Sequence, residues 1–351
     1  MPQRNIAIVI ENMAGKGGTE RVASGLANAL ARQAGQRVTL FSISGDRTFF
    51  PLEDAVLLRF LAGRTPLWPW RLAWTLRRGR FDAIIIVSMG RLSAISVPYL
   101  RLLCPHSRLV LSEHVSFHQY PWPMKWLKLL VYRLSDQVVL LTRQDRDVIA
   151  RRIGGNKCQV IENVSPFAAQ PPDLGQRGKV ALAMGRLSPQ KGFDRLIDIW
   201  RSVAQQAPDW QLLIVGDGPD RAALQRQIIE CGLQRQVRLL PATRDVTAYY
   251  RRASLTLMTS RYEGLPMVLI ESMSFGLPLV AYDCLTGPAQ LIEPDVNGYL
   301  VPEGDRQQFC QCVLTLIDDE PLRRRFSAAS LAKAQRFAPE RIYPQWQHII
   351  T

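Results

Sequence analysis

The chain has 351 residues, enough for two domains of ordinary size, with 47% apolar residues, 21% charged residues and a formal net charge of +14. That balance excludes a disordered chain, and no apolar run nears the roughly 20 residues a membrane-spanning helix needs. The opening MPQRNIAIVIEN leads from a short apolar stretch into a Gly-rich loop, not a cleavage site, so neither a signal peptide nor secretion is expected.

Residues 4–11 read as a strand, and 18–32 as a helix with apolar residues at helical spacing. Apolar strands follow at 38–43, 83–87, 109–111, 137–141 and 158–162. Runs that are apolar on both faces and separated by helices mean a buried parallel sheet. The stretch 170–178, QPPDLGQRG, is polar and rich in Pro and Gly, and marks a domain boundary. The rhythm restarts with strand 180–184, helix 192–206, strand 211–215 and helix 220–231. Strand 237–239, helix 245–252, strand 255–258, helix 266–275 and strand 279–281 complete it, and the tail after about 304 reads as helical. The pattern predicts an α/β protein of two Rossmann-like, doubly wound parallel-sheet domains. Ligands of such sheets bind beyond the carboxyl ends of the strands, so the expected site is the cleft between two facing domains.

Cys104, Cys158, Cys231, Cys284, Cys310 and Cys312 are scattered, which fits reduced thiols and no zinc site. Charge is uneven: residues 1–168 hold 23 Lys+Arg against 11 Asp+Glu, and residues 169–351 hold 21 against 19. Five of the eight tryptophans fall in two basic segments of the first half. One carries Trp68, Trp70, Trp74, Arg77 and Arg78; the other carries Trp122, Lys125, Trp126 and Lys128. Trp favours the lipid headgroup layer and neighbouring Lys and Arg attract anionic lipid, so the pair of clusters predicts contact with an anionic membrane surface. The competing reading is two core helices with solvated Arg outside. No helix-turn-helix, RNA-recognition or zinc-finger pattern supports nucleic acid as a partner.

Three loops carry candidate chemistry. In AGKGGTER (14–21), Gly17 and Gly18 could let backbone N–H groups approach an anion where a helix begins, although a tight turn explains them almost as well. In MGRLSPQKG (184–192), Arg186 and Lys191 flank one strand-end loop, where two fixed cations suit a diphosphate. In RYEGLPMVLIE (261–271), Glu263 precedes a helix starting near Pro266 and Glu271 lies in its second turn. Carboxylates suit sugar and ribose hydroxyls, and first-turn N–H groups suit phosphate oxygens. The bland alternative is a capping acid with an outward-facing Glu.

The ordered set resembles retaining glycosyltransferases of family 4, with the GT-B fold, over nearly the whole chain. Its most specific motif is the Glu-x7-Glu pair, Glu263 to Glu271, supported by GGTE at 17–20, GR-x4-K at 185–191, VGDGP at 215–219 and NGYLV at 297–301. The resemblance implies that Arg186 and Lys191 bind the donor diphosphate and that Glu263 holds donor-sugar hydroxyls. It assigns the backbone of Gly264 and Leu265 to the donor phosphate, counts Pro266 among the donor-binding residues, and gives Glu271 to the ribose. Gly17 and Gly18 would close on phosphate and sugar, and His114, in LSEH (111–114), would touch the transferring centre. It implies same-face attack, with Glu263 a binding group and not a nucleophile. The segment YDCLTGP (282–288) resembles a bacterial surface-polysaccharide subgroup using UDP-sugars. With the basic first half, this implies a lipid-linked saccharide acceptor and a cytoplasmic enzyme peripheral on the inner face of the membrane. In this fold the last helix, with Tyr343 and Trp346, crosses back, so the expected domains are 1–168 plus about 339–351, and 169–338. Asp145-Arg146-Asp147 is formally an Asp-x-Asp metal motif, but it follows Thr142 at a helix start, so no metal or other cofactor is expected. Two readings compete: a nucleotide-sugar epimerase or phosphorylase on the same architecture, and a non-catalytic basic membrane-binding module.

Overall fold

In a computed structural model, residues 3–61, 63, 65–171 and 177–350 are described. Five residues of the Pro- and Gly-rich boundary stretch, 172–176, lie outside them. The chain divides into two compact units, Met1–Val164 with Pro339–Thr351, and Ser165–Ala338. The divide falls four residues before the expected one. Phe167 explains the difference, because its ring packs edge-on against Tyr250 and Phe275 of the second unit.

The first unit is built from β1 (Arg4–Asn12), α1 (Gly18–Ala31), β2 (Gln36–Ser44), β3 (Val56–Phe60), α2 (Trp68–Gly79) and β4 (Ala83–Ser88). It continues with α3 (Arg91–Leu103), β5 (Arg108–Glu113), α4 (Trp122–Leu134), β6 (Gln137–Leu140), α5 (Arg143–Ile153) and β7 (Cys158–Val160). Its seven strands are parallel, in the order β3-β2-β1-β4-β5-β6-β7. β4, Ala-Ile-Ile-Ile-Val-Ser, is buried at all six positions, as expected of a strand covered on both faces. One face is covered by α2, α3, α4 and α5, through Leu72, Leu76, Val97, Leu100, Val131 and Ile149. β3 was not foreseen. It is a five-residue edge strand with Leu57 and Phe60 exposed, so it lacks the apolar run that marks a central strand.

The second unit is built from β8 (Val180–Met184), α6 (Phe193–Gln206), β9 (Gln211–Val215), α7 (Arg221–Glu230), β10 (Val237–Leu240) and α8 (Thr247–Arg252). β11 (Leu255–Met258), α9 (Met267–Ser274), β12 (Leu279–Asp283), α10 (Pro288–Leu291), β13 (Gly298–Pro302), α11 (Arg306–Asp318) and α12 (Glu320–Ala334) follow. Its six strands are parallel, in the order β10-β9-β8-β11-β12-β13. α6 buries Phe193, Leu196, Ile197, Trp200, Val203 and Ala204, a stripe at helical spacing that seats it on the sheet. The last helix, α13 (Pro339–Ile350), belongs to the first unit, where Ile342, Trp346, Ile349 and Ile350 join the core beneath α1.

In both sheets the order reverses beside the first strand, at β1/β4 and at β8/β11. Loops leaving the carboxyl ends on either side of such a point diverge, and the crevice between them is where doubly wound sheets take ligands.

Candidate active site

In the second unit, the loops leaving β8 and β11 flank the reversal, and an ion pair joins them. Lys191 Nζ donates to Glu263 Oε1 at 2.6 Å. Lys191 keeps 20% of its side chain exposed and Glu263 8%, so the pair is sheltered but reachable. The loops are stitched beside it. Arg261 N donates to Gln190 O at 2.8 Å and Gln190 Nε2 to Tyr262 O at 3.1 Å. The Arg261 guanidinium grips both carboxylate oxygens of Asp194, at 3.0 and 2.7 Å. Burial raises the Asp194 carboxyl, but the hydrogen bonds and charge of Arg261 outweigh it and hold the group below its ordinary range. Gly192 has φ +64°, and a Cβ there would strike the carbonyl oxygen of Thr259, so only glycine lets these loops approach. Arg261 and Asp194 were not foreseen, since nothing local in sequence links residues 67 apart.

Arg186 is exposed and makes no side-chain hydrogen bond or ion pair among the described residues. Its loop is backed by VGDGP, where Cβ atoms at Gly216 and Gly218 would overlap the carbonyl oxygens of Gly185 and Leu187. Gly264, Leu265 and Pro266 lead into α9, where Leu269 N and Ile270 N donate to Pro266 O at 3.1 and 3.4 Å and the N–H groups of Met267 and Val268 have no backbone acceptor among the described residues. Thr286 Oγ1 donates to Glu263 O at 2.6 Å, holding this loop against the one after β12. Burial, reinforced by Glu263, pushes the Cys284 thiol up to about 12 and keeps it protonated.

Glu271 is buried, which rules out the outward-facing alternative. Tyr250 OH donates to Glu271 Oε2 at 2.7 Å. The Tyr250 ring stacks on Phe275 with centroids 5.1 Å apart and 11° between planes, so the hydroxyl is rigidly aimed. Tyr250 is a further residue the sequence did not disclose; only its helix was foreseen.

Gly17, Gly18 and His114 lie in the first unit. Gly17 caps α1, and a Cβ there would come 2.8 Å from the Glu20 carboxylate, which folds back over the loop. Lys16, also in this loop, has its ammonium 5.6 Å from the Phe49 ring centroid. His114 directly follows β5. Its N–H donates to Ser88 O at 2.9 Å and its Nε2 lies 3.0 Å from Ser112 Oγ. Burial pulls its imidazole down to about 4, so the ring is neutral at pH 7. In the Asp-x-Asp stretch, buried Asp145 accepts from Ser116 Oγ, Phe117 N and Thr142 Oγ1, and Thr142 caps α5.

The basic aromatic segments are helices α2 and α4, each packed on α3. Trp70, Trp74, Trp122 and Trp126 are exposed, the last two by 71% and 57%, together with Leu102, Leu127 and Leu130. Arg77 and Arg78 are exposed, Lys125 is half-buried, and Trp68 is half-buried against the core. Lys128 corrects the expected membrane set. It is 0% exposed, and its Nζ pairs with the equally buried Glu113 at 2.6 Å. Trp122, Trp126 and Leu130 repeat every four residues on one face of α4, and residue 128 falls on the other.

A hollow of about 530 Å³, lined by Arg177, Lys179, Asp209, Trp210 and Arg323 among others, lies at the opposite, amino end of the second sheet. No residue of the candidate site lines it.

The profile of glycosyl transferases group 1 matches residues 148–332, and that of Glycosyltransferase Family 4 matches residues 16–164. The chain belongs to the glycosyl transferases group 1 family. This glycosyltransferase is 34% identical over 352 residues to the amylovoran biosynthesis glycosyltransferase AmsD of Erwinia amylovora, covering 98% of this chain and 99% of that one. Its fold is that of Anabaena HepE, solved with UDP and glucose: TM-score 0.84 at 19% identity, covering 97% and 98% of the two chains. The lipopolysaccharide outer core galactosyltransferase WaaB aligns with TM-score 0.74 at 21% identity, over 99% of both chains. The fold is GT-B, as the motifs implied.

Proposed function

We propose that this glycosyltransferase moves a sugar from a UDP-linked donor, with retention of configuration, to a hydroxyl of a lipid-linked glycan in bacterial surface-polysaccharide synthesis. The observation that carries this reading is the Lys191–Glu263 pair, 2.6 Å apart on loops that flank the reversal point of the second sheet. The relation to a transferase named for amylovoran biosynthesis supports the polysaccharide context, and the UDP in the HepE structure supports the base.

Each group has a chemical task. Lys191 and exposed Arg186 hold the donor diphosphate and offset the charge that grows as the bond from the sugar C1 to the phosphate oxygen breaks. The electron pair stays on that oxygen, which takes the proton from the acceptor hydroxyl. The acceptor oxygen bonds C1 on the same face. Glu263 accepts hydrogen bonds from donor-sugar hydroxyls, and its ion pair with Lys191 suits an electrostatic role better than nucleophilic attack. The backbone at Gly264 and Leu265 serves the phosphate, Pro266 borders the donor, and Glu271, aimed by Tyr250, takes the ribose hydroxyls. In the first unit, neutral His114 contacts the transferring centre, with Gly17 and Gly18 serving the donor. No metal is required in this scheme.

The aromatic face of α2 and α4, with Arg77, Arg78 and Lys125, meets an anionic membrane surface from the cytoplasmic side. No helix among the described residues is long and apolar enough to cross a membrane, which fits peripheral attachment.

The test is a panel of UDP-glucose, UDP-galactose, UDP-GlcNAc and their GDP counterparts, incubated with EDTA. Released nucleotide is recorded, and the anomer of the first sugar formed is read by proton NMR. The reading predicts UDP release from one donor with the α anomer first. A β anomer first, or dependence on added metal, would contradict it.

A further inference from the structure

We propose that the buried Glu113–Lys128 pair is a positioning device that fixes the segment carrying His114. The inference rests on the reading of His114 given above. All three N–H groups of Lys128 have acceptors: Glu113 Oε1 at 2.6 Å, Ser93 Oγ at 2.5 Å and Gly90 O at 3.2 Å. Glu113 Oε1 also accepts from Ser93 Oγ at 2.7 Å, and Glu113 Oε2 accepts from Tyr120 OH at 3.4 Å. Ser88 Oγ, 3.0 Å from Ser93 Oγ, accepts from Gly90 N at 2.8 Å and Ser93 N at 3.2 Å. The rings of Tyr132 and Tyr120 lie 4.8 and 5.6 Å from the ammonium. Gly90 has φ +108°, and a Cβ there would overlap Tyr120.

Two members of this network adjoin His114 directly. Glu113 precedes it in the chain, and Ser88 supplies the carbonyl that its N–H meets at 2.9 Å. The network therefore clamps the ends of β4 and β5, the start of α3 and the middle of α4 into one arrangement. A buried ion pair is a poor way to gain stability, since two apolar side chains of similar volume often serve as well or better. What a fully satisfied polar network supplies is a single geometry. Here that geometry is delivered to the residue beside the one assigned to the transferring centre.

The test uses the full chain with Glu113→Gln and Lys128→Met combined, because Lys128→Met alone strands a buried carboxylate. If the double variant does not fold, Tyr120→Phe, which removes only the bond to Glu113 Oε2, is measured in the same way. The readouts are thermal unfolding, the His114 ring-proton titration by NMR, and UDP release from UDP-glucose, UDP-galactose and UDP-GlcNAc. The chain has four histidines, so His114→Ala assigns the resonance. The proposal predicts a folded variant in which His114 titrates at least about one pH unit above its wild-type value. Turnover falls at least about tenfold, with donor KM within about twofold. Wild-type turnover, or an unmoved His114 titration whatever the turnover, overturns the proposal. Wild-type turnover in His114→Ala would instead remove the reading of His114 itself. If the wild type releases UDP from none of the three donors, the titration alone decides.

Discussion

The two units invert one another. The first carries four exposed tryptophans on its helices and hides an ion pair completely, Glu113–Lys128 at 0% exposure on both sides. The second buries its two tryptophans, Trp200 and Trp210, in the core and sets two ion pairs, Lys191–Glu263 and Arg261–Asp194, at the loops after β8 and β11, where Lys191 and Arg261 stay partly exposed. A buried, fully satisfied ion pair holds a shape and does not exchange partners, because either charge left alone would be stranded. A pair at a loop end can trade its partner for a ligand at little cost. Exposed Trp beside Arg has no reason in a core and a good one at an interface.

This contrast can be broken or sharpened by measurement. Lys128→Met should have the largest effect on stability, lowering the unfolding free energy by about 3–5 kcal/mol, because it leaves Glu113 buried without a counter-charge. Denaturant unfolding checks it, and a loss under about 1 kcal/mol would put Lys128 back among the surface lysines. Tyr250→Phe should cost about 1.5–3 kcal/mol through loss of a hydrogen bond to a charged acceptor, appearing in UDP affinity more than in turnover. Calorimetry with UDP decides that. Trp122→Ala with Trp126→Ala should weaken binding to anionic vesicles by about tenfold or more while shifting unfolding by less than about 0.5 kcal/mol, since neither ring is in the core. Vesicle co-sedimentation at low and high salt reads it, and unchanged binding would remove the membrane from the account.

The smallest effect is the pH dependence from His114. Its folded-state pKa is depressed to about 4 by burial, so the unfolded chain binds the proton more readily. Stability is therefore full above the ordinary histidine range and is lost as pH falls from about 6.5 towards 4. Between pH 7 and 5.5 the loss should be about 1 kcal/mol, and His114→Ala should flatten that part of the curve. An equal slope in the variant would assign it to other groups.

The fold was legible because parallel strands covered on both faces must be apolar throughout, so 4–11, 83–87 and 211–215 announce themselves. β3 did not, because an edge strand can leave Leu57 and Phe60 in water. The Glu263 to Glu271 spacing was legible because both ends lie on one loop-helix junction. The rest of the site is held by long-range pairs. Arg261 finds Asp194, Tyr250 finds Glu271, and Lys128 finds Glu113, through bends no local pattern records. Lys128 misled for the same reason. It sits in a basic, Trp-rich segment, but helical rotation separates it from Trp126 two residues earlier, and its acid partner is on a strand.

The most direct test of this division is calorimetric titration of UDP into three proteins: wild type, Lys191→Ala, and the Trp122→Ala with Trp126→Ala variant. The account predicts that the wild type and the tryptophan variant bind alike and that Lys191→Ala binds at least about tenfold more weakly. Equal binding by all three, or none by the wild type, would contradict it.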